Sequence, residues 1–292
     1  MSSGAKEATG LPVFLGVGPA RSGTTWLHRA LTGRVNLPAR VKETNFFDSH
    51  YEKGMKWYLS HFRKADPKLP IGEICCYFEV AKARERIARH MPNCRIIVSL
   101  RDPVERTYSY YKLMRKMVWT RATFDEVVKT RPHVNAVNRY AFHLGDWYAR
   151  LGRDNVLVCF YDDLRRDPQS YLDQICDFIG IPQIAIASIN GTDDSVNAIE
   201  RAPKNRRLAH NARHLLGSLK AHRAYRTVNF LSDIGVWNFC FGRGERFPNL
   251  SLEQEMQLRE LYLPEIEALE QLLERDLTNW KNPRVRRQAP AA

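Results

Sequence analysis

The chain has 292 residues, enough for one large α/β domain or two small ones with a sizeable core. Its hydrophobic content of 44% and charged content of 26% are ordinary for a soluble globular protein, and no apolar run reaches the length of a membrane span. The 45 basic residues exceed the 32 acidic ones by 13. This charge favours anionic partners such as nucleotides, nucleic acids, acidic glycans or a membrane surface, without choosing among them.

The six cysteines do not have the paired spacing of a structural zinc site. Two histidines four residues apart, His210 and His214, do not make a metal site by themselves, so we expect no metal. Residues 1–10 are polar, lack the apolar segment of a signal peptide, and are predicted to be a disordered leader. Thiols scattered through apolar runs indicate a reducing compartment. We expect a cytoplasmic protein without stable membrane insertion and leave its oligomeric state open.

Strands and helices are predicted to alternate along the first half of the chain. Residues 13–17 form a short buried strand candidate, followed by a loop and a helix that ends near Gly33. A helix near residues 80–90 leads into an apolar strand over 94–100. Asp102 then supplies an N-cap, and Pro103 the first position, for another helix. This order indicates βαβ units and a parallel sheet.

The second half continues the same pattern. The predicted elements are a helix opened by a capping box at Thr123, a helical stripe over 140–151, a strand over 156–161, a helix over 168–179, and a helix over 251–275 interrupted by Pro264. Between about residues 183 and 207 the pattern fails, which predicts a long functional loop or flexible segment. We therefore predict one α/β domain over residues 11–282, a central parallel sheet flanked by helices, and a flexible basic tail over 283–292.

The loop Gly18-Pro-Ala-Arg-Ser-Gly-Thr-Thr25 lies between the first strand and its helix, an arrangement that aims backbone N–H groups at an anion. The spacing of its glycines is that of a P-loop, but Thr24 stands where the P-loop needs lysine. This departure argues against hydrolysis of a nucleoside triphosphate by the usual route. The basic residue inside the loop is Arg21. The alternative is a tight strand-to-helix turn that binds nothing.

The stretch Phe14-Leu-Gly-Val-Gly-Pro-Ala-Arg-Ser-Gly-Thr-Thr-Trp-Leu27 resembles the signature of sulfotransferases that use 3′-phosphoadenosine 5′-phosphosulfate (PAPS). In that family the loop surrounds the 5′-phosphosulfate, and its basic residue contacts the bridging oxygen of the bond that breaks. Arg21 falls at that position, which is usually lysine. The resemblance implies a P-loop-like sulfotransferase fold and donor contacts from six residues: Arg21, Ser22, Gly23, Thr24, Thr25 and Trp26.

A second stretch, Ile96 to Tyr111, resembles the family's element for the 3′-phosphate, in which an arginine ends a strand and a serine follows from the next helix. Those positions are Arg101 and Ser109. From the residues alone, an arginine at the carboxyl end of a parallel strand lies where open α/β sheets bind ligands, and its guanidinium suits a phosphate. The alternative for Arg101 is a surface salt bridge with Asp102 or Glu105.

Lys42-Glu-Thr-Asn-Phe-Phe-Asp48 resembles a segment of the heparan-sulfate-type and related bacterial sulfotransferases. The glutamate of that segment is the family's general base, so the resemblance assigns Glu43 as the base here. Lys42 would stabilise the transition state or tune the pKa of Glu43. A solvated surface pair is the alternative. Where the glycan-modifying relatives have a lysine that contacts sulfate or acceptor, this chain has Ile74, so the resemblance does not carry a heparan-like acceptor with it.

Residues 198–207 lie where the family places a third basic loop over the nucleotide. The match is loose, and it assigns Lys204, with Arg206 or Arg207 as substitutes; a basic solvated loop is the alternative.

The sequence therefore predicts sulfuryl transfer from PAPS to a hydroxyl, or less favourably an amine, of a small-molecule, glycan or lipid acceptor. The product nucleotide would be adenosine 3′,5′-bisphosphate, with no metal required. The competing interpretations are a basic protein that binds nucleotide or acidic glycan without transfer, and an altered P-loop kinase. Nucleic acid is not expected as a partner, since no motif combining aromatic and basic residues is visible.

Overall fold

The computed structural model describes residues 10–63, 65–189, 199, 201–222, 224–242 and 244–282. Four parallel strands form the central sheet. They are β1 (Phe14–Gly18), β2 (Gly72–Ile74), β3 (Arg95–Leu100) and β4 (Val156–Phe160), in the order β2-β1-β3-β4. The predicted α/β class with a parallel sheet is confirmed. After β1 the chain adds β2 along one edge of β1 and then β3 along the other edge. In open parallel sheets a crevice that binds ligands forms at such a reversal, between the carboxyl ends of the two strands, which are β1 and β3 here.

Fourteen helices lie among the described residues. In the first half they are α1 (Thr24–Leu31), α2 (Gly54–Leu59), α3 (Ala81–His90), α4 (Pro103–Lys116), α5 (Phe124–Thr130), α6 (Pro132–Ala136) and α7 (Tyr140–Leu151). In the second half they are α8 (Tyr161–Arg166), α9 (Pro168–Ile179), α10 (Arg206–Ala221), α11 (Tyr225–Asp233), α12 (Val236–Phe241), α13 (Leu252–Leu273) and α14 (Thr278–Lys281). Short 3₁₀ turns occupy Tyr51–Lys53, Ser60–Phe62, Arg153–Asn155 and Ile186–Ser188.

Apolar side chains cover both faces of the sheet. Because alternate strand residues point to opposite faces, Leu15 and Ile96 join the larger core cluster, which includes buried residues of α3, α4, α7 and α13. Phe14 and Ile97 point the other way and pack with α1 and α9. The strands are accordingly almost continuously apolar, as expected for a parallel sheet covered on both sides.

Local capping explains where several helices begin. The Asp102 carboxylate accepts hydrogen bonds from the N–H groups of Val104, at 2.9 Å, and Glu105, at 3.4 Å, and Pro103 takes the first helical position of α4. Thr123 forms the predicted capping box at α5. Ser251 forms another at α13. These predictions are confirmed because a cap depends only on residues within one turn of each other.

One expectation about the elements was wrong, and one strand was missed. Helix α13 runs without a break through Pro264, since proline removes one N–H but the buried residues Tyr262 and Ile266 on either side keep the helix packed on the core. Strand β2 was not predicted. It is only three residues long, and Gly72 lies so close to the Phe14 ring that a Cβ there would stand 2.2 Å from it.

Some predicted segments lie outside the described residues. These are the leader except Gly10, the middle of the 183–207 segment (residues 190–198 and 200), and the tail over 283–292. In the part of the chain that is described, no helix combines the length and the apolar character needed to cross a membrane.

Candidate functional site

The loop between β1 and α1 lies in the crevice at the carboxyl edge of the sheet. Gly18 and Gly23 both have φ of 94°, and Arg21 adopts φ of 75°, which is uncommon for a residue with a side chain. The positive φ of Gly23 favours glycine, and a Cβ there would lie 3.3 Å from both Leu164 and Tyr161, so these side chains would have to shift to admit it. Such a conformation is typical of functional loops held in place by their surroundings.

The N-terminus of α1 is the second feature of this loop. Gly23 is the N-cap, no side chain caps the helix, and the first turn has no acidic residue. The positive end of the helix dipole is therefore not compensated by a carboxylate from its own first turn. Backbone N–H groups at such a position favour a phosphate or sulfate group.

The two anion-binding elements predicted from sequence meet in the structure. The Arg21 Nε donates a hydrogen bond to the Ser109 hydroxyl oxygen at 2.9 Å, across 88 residues of chain. Helix α4 therefore presents Ser109 directly to the loop after β1. The site joins the ends of β1 and β3, as the topology of the sheet requires.

Arg101 lies beside Arg21. One of its terminal nitrogens donates to the Arg21 carbonyl at 3.2 Å, and its guanidinium stacks on the Tyr161 ring at 4.5 Å. Burial and then the positive charge of Arg101 lower the pKa of Arg21 to about 10, so Arg21 stays charged at neutral pH. Two adjacent guanidinium groups repel each other, and an anion bound between them would relieve that repulsion.

Arg101 also forms the ion pair that the alternative interpretation expected. Its Nη2 is 3.0 Å and its Nε 3.2 Å from one carboxylate oxygen of Glu105, one turn along α4. A phosphate reaching Arg101 therefore competes with Glu105. Both side chains are about one-fifth exposed, so the pair is accessible to such a ligand.

The remaining loop residues have different surroundings. Ser22 is fully buried, its carbonyl accepts a hydrogen bond from Ser99, and its hydroxyl has no hydrogen-bond partner among the described residues. Trp26 packs edge-on against Tyr171 in the core, with ring centroids 5.7 Å apart. The donor contacts predicted for this loop, including those of Thr24, Thr25 and Trp26, stay predictions.

Lys42 and Glu43 form an ion pair of 2.7 Å, and each side chain is about 30% exposed. Both residues act electrostatically on the thiol of Cys76, whose pKa is raised first by burial and then by Glu43. The Cys76 backbone lies against Gly18, 3.3 Å from where a Cβ would stand. The Lys42–Glu43 pair is thus on the β2 side of the phosphate loop, while Arg101 is on the β3 side.

Sequence reasoning missed two titratable side chains near this pair. Burial and then the charge of Lys42 lower the pKa of His28 to about 4, so this imidazole is neutral at physiological pH. The signal available in the sequence was the spacing of four residues between Thr24 and His28, which places both on the same face of the helix. The second is Glu73 on β2, a fully buried carboxyl whose partners include the backbone of Thr44. No periodicity signal marks a buried glutamate in a three-residue strand.

Lys204 is exposed and lies in a segment that pairs with the chain before α13. The Ala202 N–H donates to the Glu245 carbonyl at 3.0 Å, and the Gly244 N–H donates to the Ala202 carbonyl at 2.8 Å. This pair of segments reaches α4 where the Tyr108 hydroxyl donates to the Pro248 carbonyl. The segment is therefore anchored one residue from Ser109, and the structure leaves the predicted nucleotide contact of Lys204 as a prediction.

The substitutes for Lys204 are placed differently. Arg206 opens α10 and donates to the Thr120 carbonyl at 3.2 Å, near Arg115 and Arg121, whose charges add to burial in lowering its pKa. Arg207 is exposed. In the described ranges, no set of three or more histidine, cysteine, aspartate or glutamate side chains is arranged to hold a metal ion.

Comparison with known proteins extends the geometric description. The model of the sulfotransferase domain family matches residues 12–200. A mouse bifunctional heparan sulfate N-deacetylase/N-sulfotransferase 4 is 29% identical over 60% of the chain, and a human bifunctional heparan sulfate N-deacetylase/N-sulfotransferase 2 is 26% identical over 92% of it. The matches cover 23% and 30% of those proteins, so the chain spans less than a third of their length.

Solved structures share the fold. A sulfotransferase from Alicyclobacillus acidocaldarius superimposes with a TM-score of 0.68 at 18% identity, over 94% of this chain and all of that one. A retinol dehydratase crystallised with androsterone and the inactive cofactor PAP gives a TM-score of 0.50 at 13% identity, over 92% of this chain and 84% of that one. The family match spans well over half of the chain and confirms the family and enzyme class predicted from the motifs. The chain belongs to the sulfotransferase domain family.

Proposed function

We propose that this chain transfers the sulfuryl group of PAPS to a hydroxyl, or less favourably an amine, of an acceptor and releases adenosine 3′,5′-bisphosphate. The observation that carries the proposal is the 2.9 Å hydrogen bond from Arg21 to Ser109. It brings an anion-binding loop and a second phosphate element together at one edge of the sheet. A donor with phosphates at both ends of a nucleoside needs two such elements.

The residues divide into a donor side and an acceptor side. Arg21, the 22–26 loop and the N-terminus of α1 would hold the 5′ end, and Arg101 with Ser109 the 3′-phosphate. Lys204 is a further candidate for covering the nucleotide. The bound donor supplies the sulfuryl group. The guanidinium of Arg21 would stabilise the negative charge that develops on the oxygen leaving sulfur.

Glu43 is the proposed general base. Its carboxylate would take the proton of the acceptor hydroxyl while the acceptor oxygen forms its bond to sulfur and the nucleotide phosphate leaves. Lys42, whose ammonium donates to the Glu43 carboxylate at 2.7 Å, would orient that carboxylate and stabilise charge at the transferring oxygens. Since both side chains are about 30% exposed, an acceptor can reach them from solvent.

The proposal does not choose among a sugar, a lipid and another small molecule as the acceptor. The relatives named above act on heparan sulfate by their names. Ile74 is fully buried here and offers no cation to an acidic sugar, so the resemblance at this position does not extend to that acceptor. A cytoplasmic location remains a prediction from the sequence.

The test separates nucleotide binding from transfer. Calorimetry with adenosine 3′,5′-bisphosphate should show stoichiometric binding without magnesium, and incubation with ³⁵S-labelled PAPS and fractionated cell extract should yield a labelled product. Glu43→Gln should abolish labelling while leaving nucleotide affinity nearly intact. Glu52→Gln, which changes an exposed carboxylate nearby, serves as the matched control. Absence of nucleotide binding, or equal loss of both properties in Glu43→Gln, would refute the assignment.

A further inference from the structure

A second carboxyl lies beneath the proposed base. Glu73 is the middle residue of β2 and has no exposed surface. One of its oxygens accepts a hydrogen bond from the backbone N–H of Thr44 at 2.6 Å, and the other accepts one from the Tyr58 hydroxyl at 3.0 Å. Thr44 directly follows Glu43, so the Glu73 carboxyl holds the peptide bond that carries the proposed base.

The segment after Glu43 is held at several further points. The Thr44 carbonyl is 2.8 Å from Nδ1 of His50, and the Thr44 hydroxyl accepts from the Phe46 N–H at 3.2 Å. Asn45 adopts φ of 50°, and its side-chain oxygen accepts from the Cys75 thiol at 3.4 Å. Two of these anchors, Glu73 and Cys75, belong to β2 and the residue after it. The position of Glu43 is therefore coupled to the edge of the sheet.

A charged group is an expensive choice for this anchor. A neutral carbonyl or amide oxygen would accept the Thr44 N–H without the cost of burying a carboxylate, which is several kcal/mol. Among the described residues, no lysine or arginine forms an ion pair with Glu73. A buried carboxyl next to the site is more readily explained by a role in the chemistry than by stability.

The titratable groups around Glu73 show what can change there. They are Glu43 from the preceding loop, Tyr58 from α2, and Cys75 and Tyr77 from the segment after β2. Burial raises the pKa of Glu73 to about 7, against hydrogen bonds from Thr44 and Tyr58 that lower it, while the Glu43 charge raises it further. The pKa values of Tyr58, Cys75 and Tyr77 are all raised well above their usual values, chiefly by burial, so these three stay neutral.

We infer that Glu73 is a positioning residue for Glu43: its buried carboxyl fixes the peptide bond after Glu43 and thereby sets where the Glu43 carboxylate stands relative to the 18–24 loop. In the ionised state both oxygens accept, from Thr44 and from Tyr58. In the protonated state the Tyr58 hydroxyl must turn and accept instead, while Thr44 keeps its partner. This inference rests on the proposed role of Glu43.

The experiment uses the full chain labelled with ¹³C at glutamate carboxyls and titrated by NMR in the presence of adenosine 3′,5′-bisphosphate. The Glu73 resonance, assigned by its loss in Glu73→Gln, should titrate near pH 7. In the same variant the Thr44 amide resonance should lose the pH dependence that it has in the parent chain, because the carboxyl that accepts its hydrogen bond has been replaced by a group that does not titrate. The glutamine side chain of this variant retains an oxygen for the Thr44 N–H and an amide for the Tyr58 hydroxyl, so the fold is expected to survive.

Turnover supplies the second readout. The assay uses ³⁵S-labelled PAPS and the extract fraction in which the parent chain forms a labelled product. Glu73→Ala should lower kcat by about 10- to 100-fold with little change in the KM for PAPS, since a shift of about 1 Å at a reacting group has an effect of that order. Glu73→Gln should recover much of the rate but shift its pH dependence near neutrality. Glu52→Gln should match the parent chain in both readouts.

The outcomes separate this inference from the proposed function. If the parent chain transfers no sulfate, the proposed function fails, and the pH dependence of the Thr44 amide resonance still decides whether Glu73 holds the peptide bond after Glu43. If the parent chain is active, and Glu73→Gln leaves both the pH dependence of the Thr44 amide resonance and the pH–rate profile unchanged, the inference is overturned while the proposed function stands.

Discussion

Glu73 also makes a prediction about folding stability. Its pKa is about 7 in the folded protein against a usual value of 4.5. In the unfolded chain the carboxyl loses its proton above pH 4.5, whereas in the folded chain it keeps the proton up to about pH 7. Stability therefore falls as pH rises through this window, because the folded state binds more protons there. Below pH 4.5 the contribution is fully present, and above pH 7 it is lost.

The magnitude follows from the two pKa values. Their difference corresponds to about 3 kcal/mol over the whole window. About 1.4 kcal/mol of this is lost by pH 5.5, which leaves about 2 kcal/mol to be lost between pH 5.5 and pH 8. Glu73→Gln removes the titrating group and keeps its shape. The parent chain should therefore lose about 2 kcal/mol of unfolding free energy relative to Glu73→Gln between these two pH values.

Urea unfolding of both proteins at pH 5.5, 6.5, 7.5 and 8 measures this difference. Other titrating groups are common to both chains and cancel in the comparison. A constant difference between the two free energies across the series would refute the reasoning, because it would mean that Glu73 has the same protonation in the folded and unfolded chains over this range. If the parent chain instead became more stable relative to Glu73→Gln as the pH rises, folding would lower the pKa of Glu73 and not raise it, and the reasoning would also be refuted.

The remaining predictions concern the β3 side of the site. Arg101→Ala should weaken binding of adenosine 3′,5′-bisphosphate by about 10- to 100-fold, the usual effect of a charge-assisted hydrogen bond, as measured by calorimetry. Glu105→Gln should tighten it by up to about fivefold, since a partly exposed ion pair that competes with the phosphate is removed; weaker binding would contradict the competition. Asp102→Ala should destabilise the protein by about 3 kcal/mol in urea unfolding, because it removes the cap of α4 and the buried partner 2.8 Å from Arg259. A loss below about 1 kcal/mol would show that Glu255, 3.1 Å from Arg259, is sufficient by itself.

Features that depend on neighbouring residues were predictable from the sequence. The caps at Asp102 and Thr123 were predicted correctly because a cap is a contact within one helical turn. The apolar runs identified β3 and β4, since a strand covered on both faces shows little alternation. The motifs around Arg21 and Arg101 also placed the chain in its family without coordinates, because glycine spacing and strand-end arginines are local patterns.

Contacts between distant segments were decided by the tertiary structure. Residue types alone could not show that Arg21 donates to Ser109, or that Arg101 pairs with Glu105 while touching the Arg21 carbonyl, because side-chain direction depends on how the loop and α4 pack. The break expected at Pro264 did not occur, since packing on the core outweighs one lost hydrogen bond.

The proposed base and the residue proposed to position it divide in the same way. The sequence by itself identified Glu43 and its neighbour Lys42 through a motif, and it identified the phosphate loop through its glycines. It could not indicate that Glu73, far along the chain from Glu43, would lie buried under the same peptide bond, because strand β2 is too short to leave a hydrophobic pattern. Only the pairing of β2 with β1 brings that carboxyl beneath Thr44, since burial and charge proximity arise when the sheet forms.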